Sequence, residues 1–168
     1  MYNIYKLLRE GDVALTILEK RKRILLYRAY CIELRQYDDS GMPYSFERAD
    51  RVADTYISNP NFEWKDIYCE DKLSGFLITS RNLNHIHGKG LYFCEAYMVP
   101  WLRRKGIMAE EVLKVLDPYK GPVYMEIYEK NQTAHLFWKE ISNRSGLSLV
   151  RNTPLFDYEC LHEFEFSK

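Results

Sequence analysis

This chain of 168 residues has no excess of positive or negative charge, because Lys plus Arg and Asp plus Glu each number 24. Proteins that bind nucleic acid usually carry a strong basic excess, so the balance argues against that class of partner. No apolar run approaches the ~20 residues of a membrane span, and Met1–Glu10 contains no apolar signal core. We therefore expect no membrane segment and no nucleic-acid partner.

Metal and redox motifs are also missing. No two of the four cysteines are spaced as Cys-x-x-Cys, and several lie in apolar surroundings, so we expect free thiols in a reducing, cytoplasmic setting. His85 and His87 have no Cys, Asp or third His near them in sequence, which favours an exposed polar loop over a metal site. The four cysteines are Cys31, Cys69, Cys94 and Cys160.

The composition that remains is that of a globular protein, with 46% hydrophobic and 29% charged residues. We find no internal repeat or linker, so we expect one domain over residues 1–168. The basic run Lys20–Arg23 fits either a phosphate or RNA patch or a solvated helix face, and the second interpretation is favoured.

Helices and strands can be placed by hydrophobic spacing and by capping residues. A helix is predicted from a cap at Asp12 to about Gln36, with a buried stripe formed by Ala14, Leu18, Leu25, Ala29 and Ile32. A second helix is predicted between a cap at Ser45 and Asn59-Pro60. The predicted strands are Tyr2–Leu8, Trp64–Glu70, Lys72–Ser80, Leu91–Val99, Val123–Tyr128, Leu147–Val150 and Tyr158–Phe166; Asn131–Ile141 is predicted to be helical.

The stretch Leu91–Leu116 is the most informative part of the chain. An apolar, aromatic strand ends at Pro100, and a basic turn, Arg103 to Gly106, precedes a helix that begins near Ile107. The first N–H groups of a helix have no intrahelical acceptor and carry partial positive charge, so this turn suits a pyrophosphate. It has neither the Gly-x4-Gly-Lys-Ser/Thr spacing nor the Gly-x-Gly-x-x-Gly spacing of the common nucleotide loops.

Two motifs resemble those of a known family. Val99-Pro-x-x-Arg103-x-x-Gly106-x-Met108 is similar to the acetyl-CoA-binding motif of the GNAT superfamily of N-acetyltransferases. Asn131-x-x-Ala134-x-x-Phe137-Trp138 resembles the family's Asn-x-x-Ala-x-x-Phe/Leu-Tyr segment. The sequence departs from the family where Met108 replaces a small residue and where Trp138 replaces a frequent Tyr.

The resemblance implies a fold of the α/β (α+β) type. We expect a mixed, mostly antiparallel sheet with helices on both faces, and a splay between the two central strands, Leu91–Val99 and Val123–Tyr128. The order of elements predicted above is compatible with this fold.

The resemblance also implies acetyl-CoA as the cofactor. Backbone groups near Met98 and Val99 would hold the pantetheine arm and polarise the thioester carbonyl. The turn would bind the pyrophosphate, with Asn131 and Trp138 beside the cofactor arm. The residues of the turn are Arg103, Arg104, Lys105, Gly106, Ile107 and Met108.

Catalytic roles are less clearly marked. Glu95 stands where many family members place a general base, and burial would raise its pKa towards neutrality. The equal alternative is a strand Glu paired with a neighbouring Arg or Lys. An indole N–H cannot supply a proton at working pH, so Trp138 cannot serve as the acid that protonates the thiolate. Tyr128 is our candidate, with Tyr124 and Tyr158 as alternatives.

The acceptor site is expected in the loop between the first two helices, at Tyr37, Asp38, Asp39 and Tyr44, because carboxylates beside aromatic rings suit a cationic amine. The sequence thus predicts an N-acetyltransferase for a primary amine of a small molecule or peptide. Two alternatives stay open, a non-catalytic acyl-CoA-binding or regulatory domain and an RNA-directed acetyltransferase. A homodimer also stays open.

Overall fold

A computed structural model describes residues 16–38, 41, 43–81, 89–155 and 158–168. The predicted strand Tyr2–Leu8, together with His85 and His87, lies outside the described residues. The elements in chain order are α1 (Ile17–Leu34), α2 (Phe46–Ser58), β1 (Phe62–Cys69), β2 (Lys72–Ser80), β3 (Leu91–Met98), α3 (Ile107–Leu116), β4 (Val123–Tyr128), α4 (Gln132–Ser145), β5 (Ser148–Leu155) and β6 (Tyr158–Ser167). None of the described helices is both long enough and apolar enough to cross a membrane.

The six strands form one sheet in the order β1-β2-β3-β4-β6-β5. Every neighbouring pair is antiparallel except β3 and β4, which are parallel. This confirms the predicted mixed, mostly antiparallel sheet.

The two central strands are joined over a short length only. Their register runs from Leu91 opposite Val123 to Phe93 opposite Met125, and the pairing ends there. Beyond these residues β3 and β4 no longer share a ladder, so backbone groups on their facing edges are left for other partners. The predicted splay between the central strands is confirmed.

Helices cover both faces of the sheet and create two separate cores. On one face, Tyr27 of α1 and Ala53 of α2 pack with Phe76 of β2. On the other face, Val112 of α3 and Ile141 of α4 belong to a second core that also contains apolar residues of β2, β3, β4 and β6. The split between β3 and β4 therefore has the core of α1 and α2 on one face of the sheet and the core of α3 and α4 on the other.

Short local signals set several boundaries where they were predicted. Ser45 caps α2 by accepting a hydrogen bond from the N–H of Arg48 at 3.2 Å, and the helix ends at Asn59 before Pro60. Glu70 and Asp71 join β1 to β2 with φ values of 50° and 60°, the left-handed conformation that tight hairpin turns require.

The predicted start of α1 was wrong. Thr16 is the N-cap: its hydroxyl accepts from the N–H of Glu19 at 3.2 Å, and the Glu19 carboxylate accepts from the N–H of Thr16 at 2.9 Å. This reciprocal capping box satisfies two N–H groups that the first turn leaves without helical acceptors, so α1 begins at Ile17. The predicted cap Asp12 and the predicted stripe residue Ala14 lie outside the described residues.

The predicted buried stripe of α1 was also wrong. Leu18, Leu25, Ala29 and Ile32 are exposed, and the buried face is centred on Tyr27. Hydrophobic spacing favoured the aliphatic side chains, but the face towards the sheet carries tyrosines, whose rings pack in the core while their hydroxyl groups find polar partners.

Candidate active site

A cleft of about 470 Å³ opens where β3 and β4 part. Its walls come from α1, α2, the two strands and α4. Among the described residues that line it there is no Lys, Arg or His. The polar and aromatic lining includes Tyr30, Tyr56, Glu95, Glu126, Tyr128 and Trp138.

A β-bulge in β3 decides which side of the sheet Glu95 faces. Thr79 is opposite Phe93 and Ile78 is opposite Glu95, so Cys94 is an extra residue in the strand. Side chains alternate along a strand, and one extra residue reverses the alternation. Glu95 consequently leaves the face of Phe93 and joins Tyr97 on the side of α1 and α2.

On that side the Glu95 carboxylate is surrounded by three phenols. Tyr27 and Tyr56 donate to Oε1 at 3.1 and 3.3 Å, and Tyr30 donates to Oε2. Tyr27 and Tyr30 lie one turn apart on α1, while Tyr56 comes from α2. Glu95 is therefore held by tyrosines, and no Arg or Lys within the described residues forms the alternative ion pair with it.

Two opposing effects set the protonation of Glu95. Burial disfavours the charged form and raises the pKa of Glu95 to about 7, while the hydrogen bonds from Tyr30, Tyr27 and Tyr56 lower it and the charge of Glu126 raises it slightly. Burial and the carboxylate together raise the pKa of each phenol, so the tyrosines stay protonated donors. A carboxyl group with a pKa near 7 is suited to accept a proton at neutral pH.

Two further cleft residues lie across the split on β4. The side chain of Glu126 makes no hydrogen bond or ion pair within the described part of the chain, and its pKa is raised by partial burial and then by Glu163. Burial and then the charge of Asp38 raise the pKa of Tyr128 to about 12. Tyr128 thus remains a hydrogen-bond donor at neutral pH but gives up its proton less readily than an ordinary phenol.

The basic turn lies at the N-terminus of α3, as predicted. Gly106 is the N-cap with φ of 78°, and a Cβ added there would meet no atom within 4 Å. The first helical hydrogen bond joins the N–H of Glu110 to Gly106 O at 3.0 Å, so the three N–H groups before it have no helical acceptor. The side chains of Arg104 and Lys105 are exposed beside this end of the helix.

Arg103 differs from its two neighbours because its side chain is engaged within the protein. Its two terminal nitrogens each donate to Glu33 at 2.6 Å, and its Nε donates to Met98 O at 2.8 Å. The guanidinium also lies 5.5 Å from the centre of the Tyr97 ring. Arg103 thus fastens the turn to the end of α1 and to the end of β3.

The backbone near the end of β3 is partly available to a ligand. The N–H of Val99 donates to Ser74 O at 2.9 Å and so faces β2. Adjacent residues of a strand direct their N–H groups to opposite edges, so the N–H of Met98 faces the open split. Of the two residues predicted to contact pantetheine, Met98 has its N–H on the suitable edge.

The remaining predicted cofactor residues are on α3 and α4. Asn131 is the N-cap of α4, where its Oδ1 accepts from the N–H of Ala134 at 3.1 Å, and it lines the cleft. Trp138 is buried, packs on Phe93 with ring centres 5.0 Å apart, and forms a wall of the cleft. Met108 is half-buried against the core under α3.

The residues predicted to bind the acceptor are not gathered in one place. Asp38 is close enough to the cleft for its charge to act on Tyr128. Tyr44 instead packs edge-on against Phe46 at 5.0 Å and donates to Arg28 O at 3.3 Å. Tyr37 is half-buried after the end of α1, and Asp39 lies outside the described residues.

The sequence interpretation missed four residues that the structure brings to or behind the cleft. They are Tyr27, Tyr30, Tyr56 and Glu126. The spacing of Tyr27 and Tyr30 was a usable signal, because two tyrosines three residues apart share one helix face. Their common partner, 68 and 65 residues further along the chain, could not be read locally.

The basic run on α1 is partly neutralised by acidic neighbours. Lys20 pairs with Asp54 at 2.5 Å, and Arg23 holds Asp66 through both Nε and a terminal nitrogen at 2.9–3.1 Å. No group of three His, Cys, Asp or Glu side chains among the described residues could hold a metal ion.

Comparison with known proteins identifies the fold. No protein-family model and no curated protein sequence matches the chain. Solved structures do match. An acetyltransferase from Thermus thermophilus is 14% identical with a TM-score of 0.59, and the match covers 86% of this chain and 90% of that chain. A GNAT-family acetyltransferase from Bacillus cereus is 15% identical with a TM-score of 0.56, and the match covers 91% of this chain and 92% of that chain. The microcin C7 self-immunity acetyltransferase, solved with acetyl-CoA and AMP, is also similar (13%, 0.62, 91% and 88%). The protein therefore has the fold of the GNAT acetyltransferases.

Proposed function

We propose that the protein is an acetyl-CoA-dependent N-acetyltransferase acting on a primary amine of a small molecule or peptide, located in the cytoplasm. The observation that carries the proposal is the cleft at the split between β3 and β4, which has a carboxyl group with a pKa near 7 in its wall. Solved structures of the same fold, bound to acetyl-CoA or coenzyme A, are named acetyltransferases.

The residues on the α3 side of the split fit coenzyme A. Three helical N–H groups without helical acceptors and two exposed cations, Arg104 and Lys105, suit a pyrophosphate. The open surroundings of Gly106 leave room for close approach. Because Arg103 is bound to Glu33, we assign it to holding the turn and assign the phosphate contacts to its neighbours and to the backbone.

The chemistry requires a neutral amine, and the chain supplies a proton acceptor. Acetyl-CoA, when bound, supplies the acetyl thioester. Glu95 Oε2 accepts the proton that the attacking amine loses, and the N–H of Met98 is placed to donate to a carbonyl in the split. Tyr128, the candidate acid, is assigned instead to donating a hydrogen bond to developing negative charge while it keeps its proton, since a thiol has a pKa of about 8.5 and holds a proton less firmly than this phenol. The C–S bond then breaks with coenzyme A leaving as the thiolate, which takes its proton from solvent.

The lining of the cleft supports an acceptor that arrives as a cation. Glu95 and Glu126 are both on the wall, tyrosine rings surround them, and no basic side chain is present among the described lining residues. Negative potential and aromatic faces both attract an ammonium group.

The alternative function is acyl-CoA binding without catalysis, favoured by the buried indole of Trp138 where many family members have a tyrosine. Turnover separates the two functions. A wild-type protein that binds acetyl-CoA but acetylates nothing in a broad amine, peptide and tRNA panel would be a binding module.

The binding half of the proposal is tested by thermal denaturation with coenzyme A. Wild-type protein at 100 times the Kd should gain about 3 kcal/mol of stability, and Gly106→Asp should abolish the gain by placing bulk and negative charge at the pyrophosphate. Gly146→Asp is the matched control, because Gly146 at the C-terminal end of α4 has a similar φ of 71° and equally open surroundings. A wild type whose melting curve ignores saturating coenzyme A contradicts the proposal.

A further inference from the structure

The arrangement of donors around Glu95 distinguishes its two carboxylate oxygens. A carboxylate offers about four lone-pair positions, two on each oxygen. Oε1 accepts from both Tyr27 and Tyr56, which fills its positions, while Tyr30 is the one donor to Oε2 among the residues that the structure describes. One acceptor position is therefore left, and it is on Oε2.

The three phenols approach Glu95 from different directions. Tyr30 and Tyr56 line the cleft, whereas Tyr27 is only 3% exposed, is absent from the lining and reaches the carboxylate from behind. Its ring is fixed by Trp64 and Phe76, with ring centres 6.2 and 5.8 Å away. Tyr27 can thus act on Glu95 without touching anything bound in the cleft.

We infer that Tyr27, Tyr30 and Tyr56 are positioning residues that lock the Glu95 carboxylate in one orientation, with a single lone pair of Oε2 presented to the reacting amine. This inference rests on the proposed function. The rigid cores beneath α1 and α2 fix the donors, so the orientation exists before any acceptor binds.

The three hydrogen bonds from these tyrosines, called the lock below, also oppose the effect of burial on the pKa of Glu95. Hydrogen bonds to a carboxylate favour its charged form, so removal of a phenolic hydroxyl should raise the pKa of Glu95. Among the described residues, the titratable groups that face Glu95 are Tyr27, Tyr30 and Cys31 of α1, Tyr56 of α2, Cys94 of β3, and Glu126 and Tyr128 of β4. Burial keeps the two thiols and the four phenols protonated through neutral pH. Glu126 is the other carboxyl group in this set, and burial and then the charge of Glu163 raise its pKa.

The test is the titration of Glu95 in protein with 13C-labelled glutamate carboxyl groups, followed by NMR without coenzyme or acceptor. The signal is assigned by its disappearance in Glu95→Gln. Each of Tyr27→Phe, Tyr30→Phe and Tyr56→Phe should raise the midpoint, by about one pH unit for Tyr27, since a hydrogen bond to a charged group contributes about 1.5–3 kcal/mol and one pKa unit is 1.36 kcal/mol. The effect should be largest for Tyr30→Phe and smallest for Tyr56→Phe, because the hydrogen bonds of Tyr30, Tyr27 and Tyr56 lower the pKa of Glu95 in that order.

Tyr68→Phe is the control, because it removes a phenol that is 52% exposed on β1, and it should leave the midpoint unchanged. An unmoved midpoint in all three cluster variants, or an equal movement in the control, overturns the inference. Should Tyr27→Phe fail to fold, Tyr56→Phe at the cluster edge carries the same test.

Kinetics then connect the lock to catalysis. For Tyr27→Phe, the acidic limb of the plot of kcat/KM against pH should shift to higher pH by the same amount as the NMR midpoint. The KM for the acceptor at pH 9 should equal that of the wild type. An NMR midpoint that moves in a protein that acetylates nothing supports the lock and removes the proposed function. A midpoint that moves while the acidic limb of an active enzyme does not move overturns the inference alone.

Discussion

Glu95→Gln should make the protein less active and, at alkaline pH, more stable. The substitution keeps the shape of the side chain and removes its charge. The Gln carbonyl can accept from Tyr27 and Tyr56, and the Tyr30 hydroxyl can rotate to accept from the amide, so the fold should be retained. Removal of a general base should lower kcat/KM on the order of 100-fold or more.

The stability effect follows from the raised pKa. Glu95 has a pKa of about 7 against an ordinary 4.5, so the folded state favours the protonated carboxyl. The stability that protonation contributes is complete below pH 4.5 and is lost as the pH rises through about 7, a loss of about 3 kcal/mol at pH 8.5. Gln cannot ionise and should avoid this loss.

Differential scanning calorimetry of the two proteins at pH 5 and pH 8.5 measures the effect. The melting temperature of Glu95→Gln relative to wild type should be higher at pH 8.5 than at pH 5 by roughly 5–10 °C. Glu63→Gln, an exposed position on β1, is the control and should show no such dependence. Equal differences at the two pH values would refute the reasoning that Glu95 is buried and ionises near neutrality.

Other substitutions test the rest of the site. Trp138→Phe should keep most of the acetyl-transfer rate because the indole supplies a wall and not a proton, whereas Trp138→Ala should lower the free energy of unfolding by about 3–5 kcal/mol in denaturant titration. Arg103→Ala should lower the free energy of unfolding by about 1–3 kcal/mol, since it removes the hydrogen bonds that Arg103 donates to Glu33 and to the Met98 carbonyl. An unchanged denaturation midpoint would contradict the structural role of Arg103. Glu126→Gln should raise KM for a diamine acceptor about 5-fold more than for the matching monoamine, measured by steady-state kinetics, and equal changes would exclude a charge contact.

Elements whose signals are local could be predicted from the sequence. The cap Ser45 and the terminator Asn59-Pro60 fixed α2 correctly, and Val123–Tyr128 was placed without error. Each of these depends on a few consecutive residues. The same reasoning failed at α1, where Thr16 and Glu19 form the capping box that begins the helix.

The environment of Glu95 could not be predicted, for two physical reasons. The bulge at Cys94 reverses the side-chain alternation, and whether a strand contains a bulge depends on its pairing with β2. The tyrosines come from two helices that are distant in sequence, and only packing of those helices on the sheet brings their hydroxyl groups together. A candidate base could be named from the sequence, but the residues that control it could not.

The core beneath α1 and α2 has a consequence for synthesis of the protein. Every residue assigned to it lies between Ile24 and Leu102, whereas the core beneath α3 and α4 extends from Ile67 to Phe166. Domains can begin to fold from the N-terminus while the ribosome is still adding residues. The order of the chain therefore allows the side of the cleft that holds Glu95 to assemble, together with its tyrosines, before β5 and β6 have been completed. The second half of the sheet would then fold onto an existing template.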